Sequence, residues 1–350
     1  MVILGVDAHK RTHTVVAADE NGHQLGQRTV AATSAGHLEA LRWAATQWPQ
    51  RRWAIEDCRH LSRRLGRELL VAGEAVVNVP PKLMAGARRS ARTRGKSDPI
   101  DALAVARAAL REPDLPAAQL DGPAREVRLL VDHREDLVAE RTRIQNRLRW
   151  HLHELEPEKE PAPRSLDRRT TLDALEQQLA GHTGTVARIT RSLVERCRSL
   201  TIEIDALERE LGGLMVQLAP SLLALQGCGS LTAAKLVGEV GDIRRFRSRA
   251  AFAMHSGTAP VPVWSGNTEH FRLNRGGNRQ INVALHRIAI TQLRLPGPGR
   301  DFVTAKLDAR KTKQDAIRSL RRHLANVVYQ RLMVDQPFLA AAISPLAAAA

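Results

Sequence analysis

Val2-Ile3-Leu4-Gly5-Val6-Asp7, followed after five residues by His13-Thr14-Val15-Val16-Ala17-Ala18, is the stretch that decides the fold. Both are short apolar runs rich in branched residues, the composition of buried strands, and the gap between them suits a hairpin. The first run closes on a carboxylate. A charge that follows several core-type residues along a strand is costly unless it finds a partner, so Asp7 marks a place where chemistry is expected.

Working outward, Gln27 to Ala32 reads as a third strand, and Ser34 as the cap of a helix to about Trp48 with Leu38, Leu41 and Ala45 on one side. Arg52-Trp53-Ala54-Ile55 is a fourth strand closing on Glu56. A helix from about Leu61 to Val71 and a strand Ala75 to Val79 follow, then the break Pro80-Pro81. Ser97-Asp98-Pro99-Ile100-Asp101-Ala102 opens a helical pattern in which Asp98 and Asp101, three apart, share a face. The order β-β-β-α-β-α-β-α is that of an RNase H-like α/β domain. Acids on its first strand, after its fourth strand and on its last helix are placed to converge. Asp7, Glu56, Asp98 and Asp101 are therefore expected to hold hard cations, which take oxygen ligands and serve phosphodiester chemistry, commonly as two Mg²⁺ about 3.5–4 Å apart. Plainer readings stand beside this one. A single Asp in a basic protein is ordinarily a solvated or ion-paired group, and Asp98 also suits a helix N-cap with Pro99 at the first helical position.

Among 350 residues there are 53 Lys and Arg against 37 Asp and Glu, a formal charge of +16, so a polyanion is the first partner to consider. The six basic residues Lys82, Arg88, Arg89, Arg92, Arg94 and Lys96 occur in a segment with no acid, and beside an acidic site they read as a phosphate-binding loop. Aromatic residues make up 3% of the chain, which favours Arg–phosphate contacts over base stacking. No apolar run is long enough for a membrane span, and the chain enters a strand at once with no secretory signal. Cys58, Cys197 and Cys228 are sparse and far apart in sequence, the pattern of a reducing compartment with neither disulfide framework nor zinc site. A cytoplasmic protein is expected.

From Ala124 to Leu155, and again from Thr185 to Leu218, the pattern is long helix. Val186, Ile189, Leu193, Cys197, Leu200, Ile204, Leu207, Leu211 and Leu214 alternate by three and four, a heptad seam. The first helix repeats it with Leu130, Leu137 and Ile144. With a Pro/Glu/Arg-rich connection over 156–168, this reads as an antiparallel coiled-coil hairpin, structural or dimerising. Three parts follow: 1–122, 123–218 and a mainly helical 219–340.

In the last part, Leu223 to Leu236, with the turn Gly227-Cys228-Gly229, looks like a helix-hairpin-helix element whose backbone N–H groups form an anion site. Arg244, Arg245, Arg247 and Arg249 follow. Pro260 to Asn267 reads as a non-periodic loop containing Ser265, and Arg272-Leu273-Asn274-Arg275-Gly276-Gly277-Asn278-Arg279 leads into helices to about Val334. A serine before glycine in such a loop is equally ordinary turn chemistry.

Taken together, Gly5-Val6-Asp7-Ala8-His9-Lys10, Ile55-Glu56 and Lys96-Ser97-Asp98-Pro99-Ile100-Asp101-Ala102 resemble the DEDD signature of the insertion-sequence transposases of the IS one-ten family. Ser265-Gly266 and Arg275-Gly276-Gly277-Asn278-Arg279 resemble that family's second block, in the same order along nearly the whole chain. That block is usually Ser-Ser-Gly-Gly-Lys-like; here it is Trp264-Ser265-Gly266-Asn267-Thr268, leaving Ser265 as its one serine. The resemblance implies a RuvC-like domain whose Asp7, Glu56, Asp98 and Asp101 bind Mg²⁺, and a nucleophile Ser265 that forms a phosphoserine link to DNA. It further implies a structured guide RNA pairing with donor and target DNA, and dimers assembling to a tetramer whose active sites are shared between protomers. Such an enzyme works in the bacterial cytoplasm, on the nucleoid. With the acids, Lys82, Arg88, Arg89, Arg92, Arg94, Lys96, Arg244, Arg245, Arg247, Arg272, Arg275 and Arg279 are the expected nucleic-acid contacts.

Other classes fit less of the chain. A Holliday-junction nuclease uses the same four acids but has no need of Ser265. An actin-like ATPase wants a Gly/Ser/Thr-rich phosphate turn where Ala8-His9-Lys10-Arg11 stands. A non-catalytic scaffold leaves the acids idle.

Overall fold

The computed structural model describes residues 1–57, 61–80, 83–84, 97–112, 115, 117–118, 122–266 and 268–341. The chain divides into two compact units, Met1–Asp121 and Gly122–Ala350. The first contains β1 (Val2–Ala8), β2 (Thr12–Ala18), β3 (Gln24–Ala31), α1 (Ser34–Gln47), β4 (Arg51–Glu56), α2 (Arg63–Val71), β5 (Val76–Val79) and α3 (Asp98–Arg111). The sheet order is β3-β2-β1-β4-β5, antiparallel among the first three strands and parallel from β1 through β4 to β5. This mixed sheet is the RNase H-like arrangement expected from the element order.

Period-two alternation gives the sheet two apolar faces. Leu4, Val6, Val15, Trp53 and Ile55 pack with Ala40 and Ala44 of α1 and with Leu65 and Leu69 of α2. Ile3, Ala18, Ala54 and Val77 pack against Val105, Ala106 and Ala109 of α3. Two local expectations shift. Thr33, not Ser34, caps α1, its Oγ1 accepting from the Gly36 N–H at 3.2 Å. Asp98 is the first helical residue of α3 behind the N-cap Ser97, so it is not a cap and its carboxylate is available for other work.

The second unit is mostly helical: α4 (Pro123–Leu155), α5 (Arg169–Leu179), α6 (Gly184–Leu218), α7 (Pro220–Leu223), α8 (Ser230–Val240), α9 (Arg249–His255), α10 (Arg279–Arg294), α11 (Pro298–Asp308) and α12 (Lys313–Ala341), with one hairpin of β6 (Val261–Ser265) and β7 (Thr268–Arg272). Helices α4 and α6 run antiparallel, tied by Arg134 to Glu208, by Arg141 to Thr201 at 3.0 Å and by Arg196 to Glu140 at 2.7 Å. The buried face of α6 includes Ala187, Thr190, Val194, Cys197, Leu200, Thr201, Ile204 and Leu211, whereas Ile189 is exposed. It departs from the expected seam because Thr190 and Thr201 bury their hydroxyls by donating to the carbonyls of Val186 and Cys197 at 2.7 and 2.8 Å. An apolar-only pattern passes over such residues. The helix α5, which the sequence pattern had left unassigned, adds Leu172, Leu175 and Leu179 to the same cluster. At the other end Val127, Val131, Leu211, Met215 and Leu218 join the core of the C-terminal helices.

Lys235 is buried in α8, its Nζ 2.8 Å from Glu135 and 3.5 Å from Asp132 of α4. The fully buried Asp335 of α12 accepts the N–H groups of Ser221 and Leu222, both at 3.0 Å, capping α7. Within 260–267, read as a loop, Val261–Ser265 is instead a strand: β6 pairs with β7 from Val261–Arg272 to Ser265–Thr268. Prolines and a Trp-Ser-Gly turn hid the alternation that would have announced it. Among the described residues no helix is long and apolar enough to cross a membrane.

Candidate active site

Asp7 ends the apolar part of β1 and Glu56 ends β4. The parallel register pairs Val6 with Ile55, so Asp7 and Glu56 occupy the next positions on adjacent strands, on the face that α3 covers. Gly5 makes the third element fit. A Cβ there would stand 2.1 Å from the Ala102 carbonyl oxygen and 2.6 Å from the Ala106 nitrogen. Only a glycine lets α3 lie so close to β1, and that contact seats the first turn of α3, with Asp98 and Asp101, over the Asp7 end of the strand.

The electrostatics agree with this placement. Asp7 is 5% exposed, and its Oδ2 is buried with no hydrogen-bond partner. Burial pushes its carboxyl above the ordinary range; His9 opposes that, and Asp101, Glu56 and Asp98 push it further. The three other acids of the tetrad thus all act on Asp7. Asp101 is itself buried, whereas Asp98 is half exposed. His9 stands between two of the acids, its Nε2 3.8 Å from Asp7 Oδ2 and its Nδ1 3.7 Å from Asp98 Oδ2. Ligand atoms of Asp7, His9 and Asp98 lie within 4.8 Å of one another. Sequence pattern alone gives His9 no role; its position two residues past Asp7, just beyond the strand, is the signal it offers.

Carboxylates pressed together with an orphaned buried oxygen are a charge distribution that a cation relieves. The donor set, carboxylate oxygens with the His9 imidazole, is the kind that fits a divalent metal ion.

The C-terminal candidates lie in the second unit. Ser265 is the last residue of β6, its backbone paired with Thr268, and Gly266 follows with φ +59° at the turn. Arg244 is held by Asp242 at 2.8 Å, and the Arg245 guanidinium lies over the Phe246 ring, 4.5 Å from its centre. Arg247, Arg272, Arg275 and Arg279 are exposed. Gly227 has φ +85°, and a Cβ there would meet the Ile288 carbonyl at 3.0 Å, so the turn between α7 and α8 packs tightly on α10. Beside it runs a groove of about 800 Å³ whose lining includes Gln226, Gly229, Arg287 and Arg294. Lys82, Arg88, Arg89, Arg92, Arg94 and Lys96 lie outside the described residues, as does Cys58. Cys197 and Cys228 are buried free thiols, pushed up by burial to about 11 and about 12.

A DEDD-type IS110 transposase model, described as a transposase, matches residues 4–157, and a model of the transposase IS116/IS110/IS902 family matches residues 219–304. The chain is 28% identical to the 44.8 kDa protein of insertion element IS116 from Streptomyces clavuligerus, over 94% of each chain. It is 26% identical to the 42 kDa protein of insertion element IS900 from Mycobacterium paratuberculosis, over 95% of each, and 28% identical to the 43.6 kDa protein of insertion element IS110 from Streptomyces coelicolor, over 68% of this chain and 70% of that one. Among solved structures, Thermus thermophilus RuvC in complex with a Holliday junction substrate aligns with 34% of this chain and 99% of its own at 15% identity, with a TM-score of 0.27.

Proposed function

Because this chain belongs to the IS110 family of transposases, enzymes that cut and rejoin DNA, we propose that Asp7, Glu56, Asp98 and Asp101 form its metal site and that Ser265 is its nucleophile. The single observation that carries the metal-site part of this reading is the state of Asp7; Ser265 is taken from the family resemblance. It is a buried carboxylate with an orphaned oxygen, and the other three acids of the signature all push its proton affinity up. Bound there, Mg²⁺ would supply positive charge for phosphate oxygens. The chain's own residues do the rest. Asp7 and Glu56 are fixed by the sheet, Asp98 and Asp101 by the contact of α3 with Gly5, and His9 steadies Asp7 and Asp98.

In the proposed reaction the Ser265 oxygen attacks a DNA phosphorus. An oxygen–phosphorus bond to serine forms as the bond to one sugar oxygen breaks; the serine proton leaves to a nearby base, and the departing sugar oxygen is protonated. Attack on the serine ester by another sugar hydroxyl reverses these bonds and joins new ends. The ester conserves the phosphodiester energy, so rejoining needs no nucleotide triphosphate.

The proposal assigns the acids to residues 1–122, protomer assembly to 123–218, and the serine with a helix-hairpin-helix phosphate contact to 219–340. The groove beside Gly229, with Arg287 and Arg294, supports that last contact. A structured RNA pairs with donor and target DNA, and a tetramer built from dimers completes each site from two protomers, in the bacterial cytoplasm at the nucleoid. The basic residues Lys82, Arg88, Arg89, Arg92, Arg94 and Lys96, with Arg244, Arg245, Arg247, Arg272, Arg275 and Arg279, hold the nucleic acid.

Replacing Asp98 and Asp101 together by Asn tests the metal site. DNA cleavage should fall roughly 10²-fold or more, the scale for losing preorganised charge, with folding and nucleic-acid binding retained. Undiminished recombination by the double variant would contradict it.

A further inference from the structure

The last carbonyls of a helix have no partners within it, and those of α9 are taken by both flanks of the β6–β7 hairpin. From the chain entering β6, the Thr258 and Ala259 N–H groups donate to the Ala253 carbonyl at 3.0 and 3.1 Å. From the chain leaving β7, Asn274 Nδ2 donates to the Met254 carbonyl at 2.8 Å and Asn282 Nδ2 to the Ser256 carbonyl at 2.9 Å. The Asn278 N–H donates to the His255 carbonyl at 2.6 Å. The flanks also cross in backbone contact, for a Cβ on Gly277 would stand 2.2 Å from the Gly257 nitrogen. Among the described residues, the hydrogen bonds that tie the hairpin to the helices all lie at this root. The three asparagine amides are engaged on both sides. Asn274 Oδ1 accepts the Gly276 N–H at 3.0 Å, and Asn282 Oδ1 accepts from Arg321 of α12 at 2.8 Å. Asn278 Oδ1 caps α10, accepting the Gln280 and Ile281 N–H groups at 2.9 and 3.1 Å. Its Nδ2 donates to Glu239 Oε2 of α8 at 2.8 Å. The Glu239 carboxylate is buried, and its other oxygen lies 3.6 Å from Arg128 of α4. A satisfied polar network of this kind specifies one geometry, where apolar packing alone would tolerate several.

We propose that Asn278, held by Glu239, is a positioning residue for the DNA reaction: through this root it fixes the direction in which the hairpin carries Ser265. The inference rests on the reading of Ser265 as the nucleophile. Ser265 stands at the end of β6 away from the root, and the two strands are paired all the way from Val261–Arg272 to Ser265–Thr268. A tilt at the root is therefore carried to the serine as a displacement. Misplacing a reacting group by about 1 Å costs roughly 10²-fold in rate. A residue that served only the fold would lower the melting temperature and leave the rate of the folded protein alone.

The test uses the full chain and two changes at one hydrogen bond. Asn278→Ser keeps a cap for α10 but removes the donor to Glu239. Asn278→Asp with Glu239→Gln restores the bond with donor and acceptor exchanged, and leaves the net charge as it was. Amide hydrogen exchange over 254–259 and 274–278 reads the root by itself; the rate of protein–DNA adduct formation reads the serine. Asn278→Ser should speed exchange at the root and slow adduct formation by roughly 10- to 100-fold, with DNA affinity unchanged. The exchanged pair should recover native protection and most of the native rate. Native exchange in Asn278→Ser would overturn the proposal, as would a native adduct rate in a variant whose root has loosened. A rate loss that only follows a loss of DNA affinity, or that persists when the pair has restored protection, would also overturn it. Absence of any adduct from the native protein would instead overturn the reading of Ser265, and this inference with it.

Discussion

Asp7 sits where a carboxylate is expensive: it is buried, short of one hydrogen-bond partner and surrounded by like charge. On the opposite face of the same sheet a second buried polar pair has a different character. His13 stacks on His37 with ring centres 5.1 Å apart, and His37 Nδ1 lies 2.6 Å from Glu68 Oε2. Burial, then the charge of His37, lowers the His13 pKa to about 4, from an ordinary 6.5. The folded protein therefore holds His13 neutral, while the unfolded chain takes up its proton below about pH 6.5. Stability from this group is complete above pH 6.5 and is lost as pH falls toward 4, by up to about 3 kcal/mol. Thermal midpoints between pH 7 and 4 should fall less steeply in His13→Gln than in the native protein; equal slopes would contradict this. At this scale the sequence was informative about position, through strand period for Asp7 and Glu56 and through helix spacing for Asp98 and Asp101. It said nothing of His9 and little of Gly5, because their parts depend on what α3 brings against them.

Among the elements, strand and helix order in the first unit was legible, since alternating apolar runs and proline breaks are local signals. The long helices were legible too, but the partner of their seam was not. Leu200 is fully buried within the chain, packed among residues of α4, α5 and α6. The seam is thus satisfied from inside, and any contact between protomers must use the outer surface, where Trp150 of α4 is 80% exposed. Leu200→Glu should cost several kcal/mol and unfold the hairpin rather than dissociate an intact assembly. Trp150→Glu should leave the fold intact and reduce the mass in solution if this surface joins protomers. Light scattering with circular dichroism separates the two; a folded Leu200→Glu protein of reduced mass would reverse the assignment. The β6–β7 hairpin was the least legible element, because proline, serine and glycine carry turn signals even inside its strands.

Across the whole molecule, the formal charge of +16 predicts an affinity for DNA or RNA that falls steeply with salt, through release of counterions from each neutralised phosphate. A protein making six to ten such contacts loses roughly 10³–10⁵ in affinity between 50 and 200 mM salt; a flat titration would contradict phosphate-led binding. The charge was plain in the sequence. The proposed pairing of acids in one unit with a serine in the other was not, because such a union is not a local property of either. The most direct measurement of that proposed union is a denaturing gel of the full chain with labelled DNA, the proposed guide RNA and Mg²⁺. The account predicts a protein–DNA adduct for the native protein, and no adduct and no strand exchange for Ser265→Ala, which should still bind both nucleic acids. Cleavage by Ser265→Ala at the native rate, with water as the attacking group, would contradict it.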